Sequence, residues 1–340
     1  MRVIQYNAHT SRPQYPLLMV SLGLVSGWAR CLLCVFSVLL STMSAAALAA
    51  PEPIRVVVSF SILADFARQV GGEQVDVTSL IPANGDAHLF EPRPADVRLL
   101  AKARLVIVNG LGYEPWLPRL LQASGSDAKV VVASAGVTPA QTEQHTDGHN
   151  HGGQHDEASH GAHGQLDPHA WLDVRNAIHY VDTLRTALCG AKTAFCADIT
   201  ARADAYRTQL RRLHTDITQT LSAIPEPDRT VVSSHASFGY FARAYGMRFL
   251  SPLGINTEAR PSARDMARVI DQVRAQNVRA VFLENINDPR LIERIVVETG
   301  ARIGGHLYAD ALSPADGDAP TYIDMMRHNA RVIATSLNAQ

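Results

Sequence analysis

Three histidines and one aspartate stand out: His88 in NGDAHLFEP just after the run TSLIP, His169 in DPHAWLD after a histidine-rich stretch, His235 directly after TVVSS, and Asp310 after HLYA. Three neutral imidazoles and one carboxylate make a four-donor set of borderline-soft and hard atoms. Such a set suits a tetrahedral Zn2+ with bonds of about 2.0–2.2 Å, whereas Mn2+ prefers more oxygen. Taken singly, each signal is weak, because a lone histidine is more often a hydrogen-bonded structural residue and a lone aspartate a cap or loop carboxylate. His88, His235 and Asp310 are joined by their place after strand-like runs, since an open α/β sheet gathers its ligand groups at that edge.

Hydrophobic periodicity supplies the framework around them. From Ile54 the chain alternates short apolar runs with amphipathic stretches: IRVVVSF then SILADFARQVGG, QVDVTSLIP then PADVRLLAKA, RLVIVNG then PWLPRLLQAS, and KVVVASA. This is the strand and helix alternation of a parallel sheet with helices on its faces. Apolar residues at Ala177, Val181, Leu184 and Leu188, then at Ile199, Ala203, Tyr206, Leu210, Leu213, Ile217, Leu221 and Ile224, keep spacings of three and four. They predict a helix from about 198 to 224, ~40 Å long at 1.5 Å per residue. A second alternating block runs from TVVSSHASF to a last helix over about 320–337. The expected fold is α/β, with two lobes, each a parallel sheet with flanking helices, bridged by one long helix, and with the metal site in the cleft between them. The expected limits are 50–175 for the first lobe, 176–225 for the linking helices and 226–340 for the second lobe. Each lobe then offers two of the four donors.

In this order, and spread from Asn84 to Ser313, the words GDAHLFEPRPADV, VNGLGYEPWL, LDPHAWLD, SSHASFGYFARAYG and RIGGHLYADALS resemble the zinc and manganese substrate-binding proteins of ABC importers. The resemblance implies two α/β lobes bridged by a backbone helix, and as partners a membrane permease with its ATPase subunit. Residue by residue, His88, His169 and His235 stand where that family has its nitrogen ligands, and Asp310 where it has its carboxylate. The family varies most at the third position, where histidine is commoner in zinc receptors and glutamate in manganese receptors. His235 therefore implies Zn2+ as the transported ion ahead of Mn2+, with a manganese receptor of the same type as the nearer alternative.

The segment 141–165 carries His145, His149, His151, His155, His160 and His163 among Gly, Asp and Gln, with almost nothing apolar to bury. It reads as a flexible loop and resembles the histidine-rich insertion of many zinc-specific members, which implies weak auxiliary metal capture. Glu284, ending the strand-like VRAVFLEN, is placed to hydrogen-bond a ligand imidazole. Asp86 and Glu91 flank the first histidine as supporting or surface charges. His306 reads as structural, and Trp116 and Trp171 as packing residues, because a bare ion offers no face for stacking.

The first 50 residues hold three arginines and no acidic residue, and include the apolar run CLLCVFSVLL ahead of STMSAAALAA. Ala47 and Ala49 fit a secretory cleavage site, so residues 1–49 read as a cleaved signal peptide and the mature protein as periplasmic. Cys31 comes after Arg30 and Cys34 after Leu33, neither in a lipoprotein setting. Cys189 and Cys196 then remain as a pair, expected to be a disulfide in an oxidising compartment. The 340-residue chain carries a net charge of -1 and no basic block, which argues against nucleic-acid binding. A monomer is expected, and a periplasmic metallochaperone is admitted as a further partner. The rival from another class, a secreted zinc hydrolase, needs three ligands, an open water position and a general base. The four-donor set leaves no such position, and no HExxH pair is present. The chain is therefore not expected to be an enzyme.

Overall fold

A computed structural model describes residues 52–141, 166–258 and 260–338. The expected signal peptide and all six histidines of the 141–165 segment lie outside these residues.

In the first lobe, β1 (Ile54–Val58), β2 (Val75–Ser79), β3 (Leu105–Val108) and β4 (Lys129–Val132) form a parallel sheet in the order β2, β1, β3, β4. Their β-branched sequences, IRVVV and LVIV among them, fit a pleated surface covered on both faces. The crossovers are α1 (Ser61–Gly71), α2 (Pro94–Leu100) and α3 (Leu117–Ser124). A two-residue antiparallel ribbon, β5 (Ala140–Gln141) with β6 (Leu166–Asp167), then brings the chain back just before His169.

Two helices lead out of this lobe. In α4 (Val174–Ala191) the N-terminus is capped by Asp173, whose side chain accepts from the Arg175 N–H. Helix α5 (Cys196–Ser222) buries Ile199, Ala203, Tyr206, Leu210, Leu213, Ile217 and Leu221, the same three-and-four spacing that the sequence shows. It is 27 residues long and starts two residues earlier than expected. A disulfide between Cys189 and Cys196 joins the end of α4 to the start of α5. Closing so short a loop is worth on the order of 2–3 kcal/mol in the chain-entropy model, a local staple.

The second lobe holds β7 (Thr230–Val232), β8 (Arg248–Leu250), β9 (Ala280–Glu284) and β10 (Arg302–Leu307), again all parallel, in the order β10, β9, β7, β8. Its helices are α6 (Gly239–Tyr245), α7 (Ala263–Ala275) and α8 (Arg290–Thr299), and α9 (Tyr322–Asn338) closes the chain. Ser262 and Asp265 form a reciprocal capping box at the start of α7. Helix α5 touches α1 of the first lobe, α6 of the second, and α9, so one rigid element spans both. One large core runs through the first lobe, α5 and α9. A separate small core under α7 and α8, with Val232, Val273, Val281 and Ile292, fills the far face of the second sheet. No helix of the described residues is long and apolar enough to cross a membrane.

Candidate metal centre

Because the four strands of each main sheet run the same way, their carboxyl ends gather at one edge. In the second lobe β7 leads into Ser233, Ser234 and His235, its neighbour β9 ends on Glu284, and β10 leads into Asp310. Glu284 is buried, and its Oε1 accepts from the backbone N–H of Ser234 at 2.8 Å and of His235 at 3.1 Å. Its Oε2 lies 2.7 Å from His235 Nδ1. One carboxylate thus fixes both the backbone and the ring of His235, and turns Nε2 outward from the strand. The Asp310 segment is pinned from three sides. Trp171 Nε1 donates to the Ala309 carbonyl at 2.8 Å, Ser61 Oγ accepts from the Leu312 N–H at 2.9 Å, and Asn329 on α9 exchanges two hydrogen bonds with the Tyr308 backbone.

In the first lobe His169 comes just after β6, and Asp167, two residues earlier, plays the part that Glu284 plays for His235. Its Oδ1 accepts from the His169 N–H at 3.0 Å and sits 2.8 Å from Nδ1. The turn is held further by Asn109, whose amide donates to the Pro168 carbonyl at 2.9 Å and accepts from Tyr180 Oη. Asp167 also needs Gly239 of the second lobe. A Cβ at that position would come within 2.5 Å of Asp167 Oδ2, so a side chain there would push the carboxylate from its present place. His88 lies between β2 and α2; its backbone N–H donates to Asp86 Oδ1 at 2.8 Å, and its ring meets Tyr113 edge-on with centroids 5.2 Å apart.

The four side chains converge, with one donor atom from each lying within 4.8 Å of all the others. Asp310 Oδ2 is 3.3 Å from His88 Nε2 and 3.2 Å from His235 Nε2, and Oδ1 is 3.4 Å from His169 Nε2. None of these approaches is aligned as a hydrogen bond. The three Nε2 atoms and both Asp310 oxygens are buried without partners. Leaving a polar group so costs about 1–3 kcal/mol each, and five of them facing one point is the arrangement that a cation satisfies. The three distances from Asp310 to the imidazoles match the spacing of about 3.3 Å between donors of a tetrahedral ion with bonds of about 2.0–2.1 Å.

The electrostatics are those of a site that holds protons when it holds no cation. Burial alone would lower the His169 imidazole, but Asp310 and Asp167 outweigh it and raise it to about 9. Burial is likewise overcome at His235, where Glu284 and then Asp310 carry the imidazole well above its usual value. Burial would raise the Asp310 carboxyl, yet the imidazoles of His169 and His235 hold it well below the ordinary carboxylate range.

The structure therefore brings together His88, His169, His235 and Asp310, with Glu284 on the His235 ring. Asp86 touches the His88 backbone, whereas Glu91 and His306 are exposed and stand outside the cluster. Trp171 is fully buried against Phe60 and Tyr113, and Trp116 packs on Phe90. Asp167 is not among the residues expected from the sequence, although a carboxylate two residues before a candidate ligand is a usable signal. Gly239 offers none, since its role depends on a contact between lobes.

The chain matches the family model "Zinc-uptake complex component A periplasmic" over residues 56–336. It is 33% identical over 287 residues to the manganese-binding lipoprotein MntA of Halalkalibacterium halodurans, covering 84% of this chain and 89% of that protein. It is 30% identical over 300 residues to the iron-binding protein YfeA of Yersinia pestis, covering 86% and 91%. Among solved structures it is similar to the periplasmic zinc binding protein TroA of Treponema pallidum, with a TM-score of 0.75, 25% identity, and coverage of 84% of this chain and 99% of that one. With nearly all of the described chain matched and the two-lobe fold shared, the protein belongs to the zinc-uptake component A family, the metal-binding substrate-binding proteins of ABC importers.

Proposed function

We propose that the protein is a zinc receptor that captures one Zn2+ through His88, His169, His235 and Asp310 and hands it to the permease and ATPase of an ABC importer. The observation that carries this reading is the donor set itself, three imidazole nitrogens and one carboxylate with their buried ligand atoms turned to one point. Three nitrogens among four donors favour Zn2+; an oxygen-rich shell would favour Mn2+. Four protein donors would fill a tetrahedral ion's shell and leave no position for the activated water of a zinc hydrolase, which supports carriage without chemistry. On this reading the receptor acts as a monomer in the periplasm, released from a leader over residues 1–49.

The test pairs metal competition with growth. Purified mature protein offered Zn2+ and Mn2+ together should retain one equivalent of Zn2+, and cells lacking the gene should fail under chelation and recover with added zinc. Retention of manganese from the mixture, or recovery with manganese alone, would overturn the zinc assignment.

The carboxylates behind the imidazoles contribute as well. Glu284→Gln keeps the shape but removes the charge that orients His235 and makes its ring a better donor. Zinc affinity is expected to fall about 10–100-fold while the protein stays folded. Chelator competition with circular dichroism checks this, and unchanged affinity would show that Glu284 serves only the backbone of Ser234 and His235.

A further inference from the structure

His88 is held differently from the other two imidazoles. His169 has Asp167 at Nδ1 and His235 has Glu284, whereas the contacts of His88 among the described residues place no carboxylate at Nδ1. Its position is fixed through its backbone by Asp86, and Asp86 is shared between lobes. While Oδ1 accepts from the His88 N–H, Oδ2 accepts from Thr257 Oγ1 at 2.7 Å, and Thr257 lies in the second lobe between β8 and α7. Two residues before Asp86 the same loop is fastened again. Asn285, directly after β9, donates from Nδ2 to Asn84 Oδ1 at 2.8 Å, and the Asn84 N–H donates to the Leu312 carbonyl at 2.9 Å. Asn84 has a φ of 55°, a left-handed conformation that asparagine tolerates better than most residues and that shapes the loop for these contacts.

We propose that Thr257 and Asn285 are positioning residues for His88: they latch its loop across the cleft and set how fast the metal leaves. The inference rests on the metal reading above. Parting the lobes must break the Thr257 to Asp86 bond and the Asn285 to Asn84 bond, and both lie on the loop of the one imidazole that no carboxylate anchors. His88 is then the ligand that detaches first, and the ion is released from a site still held by His169, His235 and Asp310. A hydrogen bond to a carboxylate is stronger than one between neutral groups, so Thr257 is the heavier half of the latch.

The experiment measures Zn2+ dissociation from the full mature protein by stopped flow into excess chromophoric chelator. Thr257→Val keeps the shape and loses the hydroxyl, and should speed dissociation roughly tenfold, equivalent to about 1.4 kcal/mol. Thr257→Ser restores the donor and should return the rate to near wild type, which a loss of packing alone would not do. Asn285→Ala should speed release in the same direction, and metal-free melting temperatures should stay at the wild-type value. A wild-type rate in Thr257→Val, or a Thr257→Ser rate as fast as the valine variant, overturns the latch while leaving the metal reading intact. A wild-type protein that binds no Zn2+ overturns both.

Discussion

Asp310→Ala should cost the protein its tight metal binding, with the dissociation constant for Zn2+ rising by roughly 10²–10³. Asp310 is the one anion among the four donors, and its two oxygens lie 3.2–3.4 Å from the three imidazole nitrogens, so every part of the cluster faces it. A four-donor zinc site is worth about 10–16 kcal/mol at neutral pH, so an even quarter share is about 2.5–4 kcal/mol. At about 1.4 kcal/mol per factor of ten, that share converts to the loss stated. Asp310→Asn separates charge from shape: the amide can still offer an oxygen, and an affinity between wild type and the alanine variant would measure what the charge adds. His169→Ala should lose a similar amount, because the removed ring is fully buried and, among the described residues, no other donor joins the cluster to replace it. Competition titration against a strong chelator checks all three variants. Wild-type affinity in Asp310→Ala would remove Asp310 from the site.

The meeting of His88, His235 and Asp310 was legible in the sequence because each comes after an apolar run, and parallel strands deliver the residues at their carboxyl ends to a common edge. His169, by contrast, follows the polar histidine-rich segment and was legible through the family resemblance of LDPHAWLD. The bridging helix was equally legible, since an uninterrupted three-and-four spacing from Ile199 to Leu221 has no other regular solution. The groups that escaped the sequence are those that depend on partners distant along the chain. Gly239 is small because Asp167 packs against it from the other lobe. Asn109 orients the turn before His169 across 59 residues of sequence, with Tyr180 completing it from α4. Thr257 looks like any loop threonine until Asp86, 171 residues away, is found on its hydroxyl. Candidate ligand atoms are announced locally by residue type and neighbouring sequence, whereas the groups that orient them are chosen by tertiary proximity.

The same orienting carboxylates change the pH at which the site should work. Unperturbed imidazoles titrate near about 6.5, and on that basis alone zinc affinity would level off above neutral pH. With His169 raised to about 9 and His235 raised well above its usual value, both rings hold protons in the metal-free protein at neutral pH. Zinc must displace them, so affinity should keep climbing between pH 6 and 9 by roughly one to two factors of ten per pH unit, one for each proton released. The metal-free fold should respond in the opposite sense. Its raised histidines contribute stability that is complete below about 6.5 and lost as pH rises through about 9, while the lowered Asp310 contributes above about pH 4 and fails only at stronger acidity. Metal-free protein should therefore melt at a lower temperature at pH 9 than at pH 6, and the gain on adding zinc should widen across that interval. Calorimetric titration in buffers of different ionisation enthalpy counts the protons directly. Zinc binding at pH 7.5 that released no proton, with an affinity flat from pH 6 to 9, would show that the imidazoles are already neutral and that Asp310, Asp167 and Glu284 do not charge them.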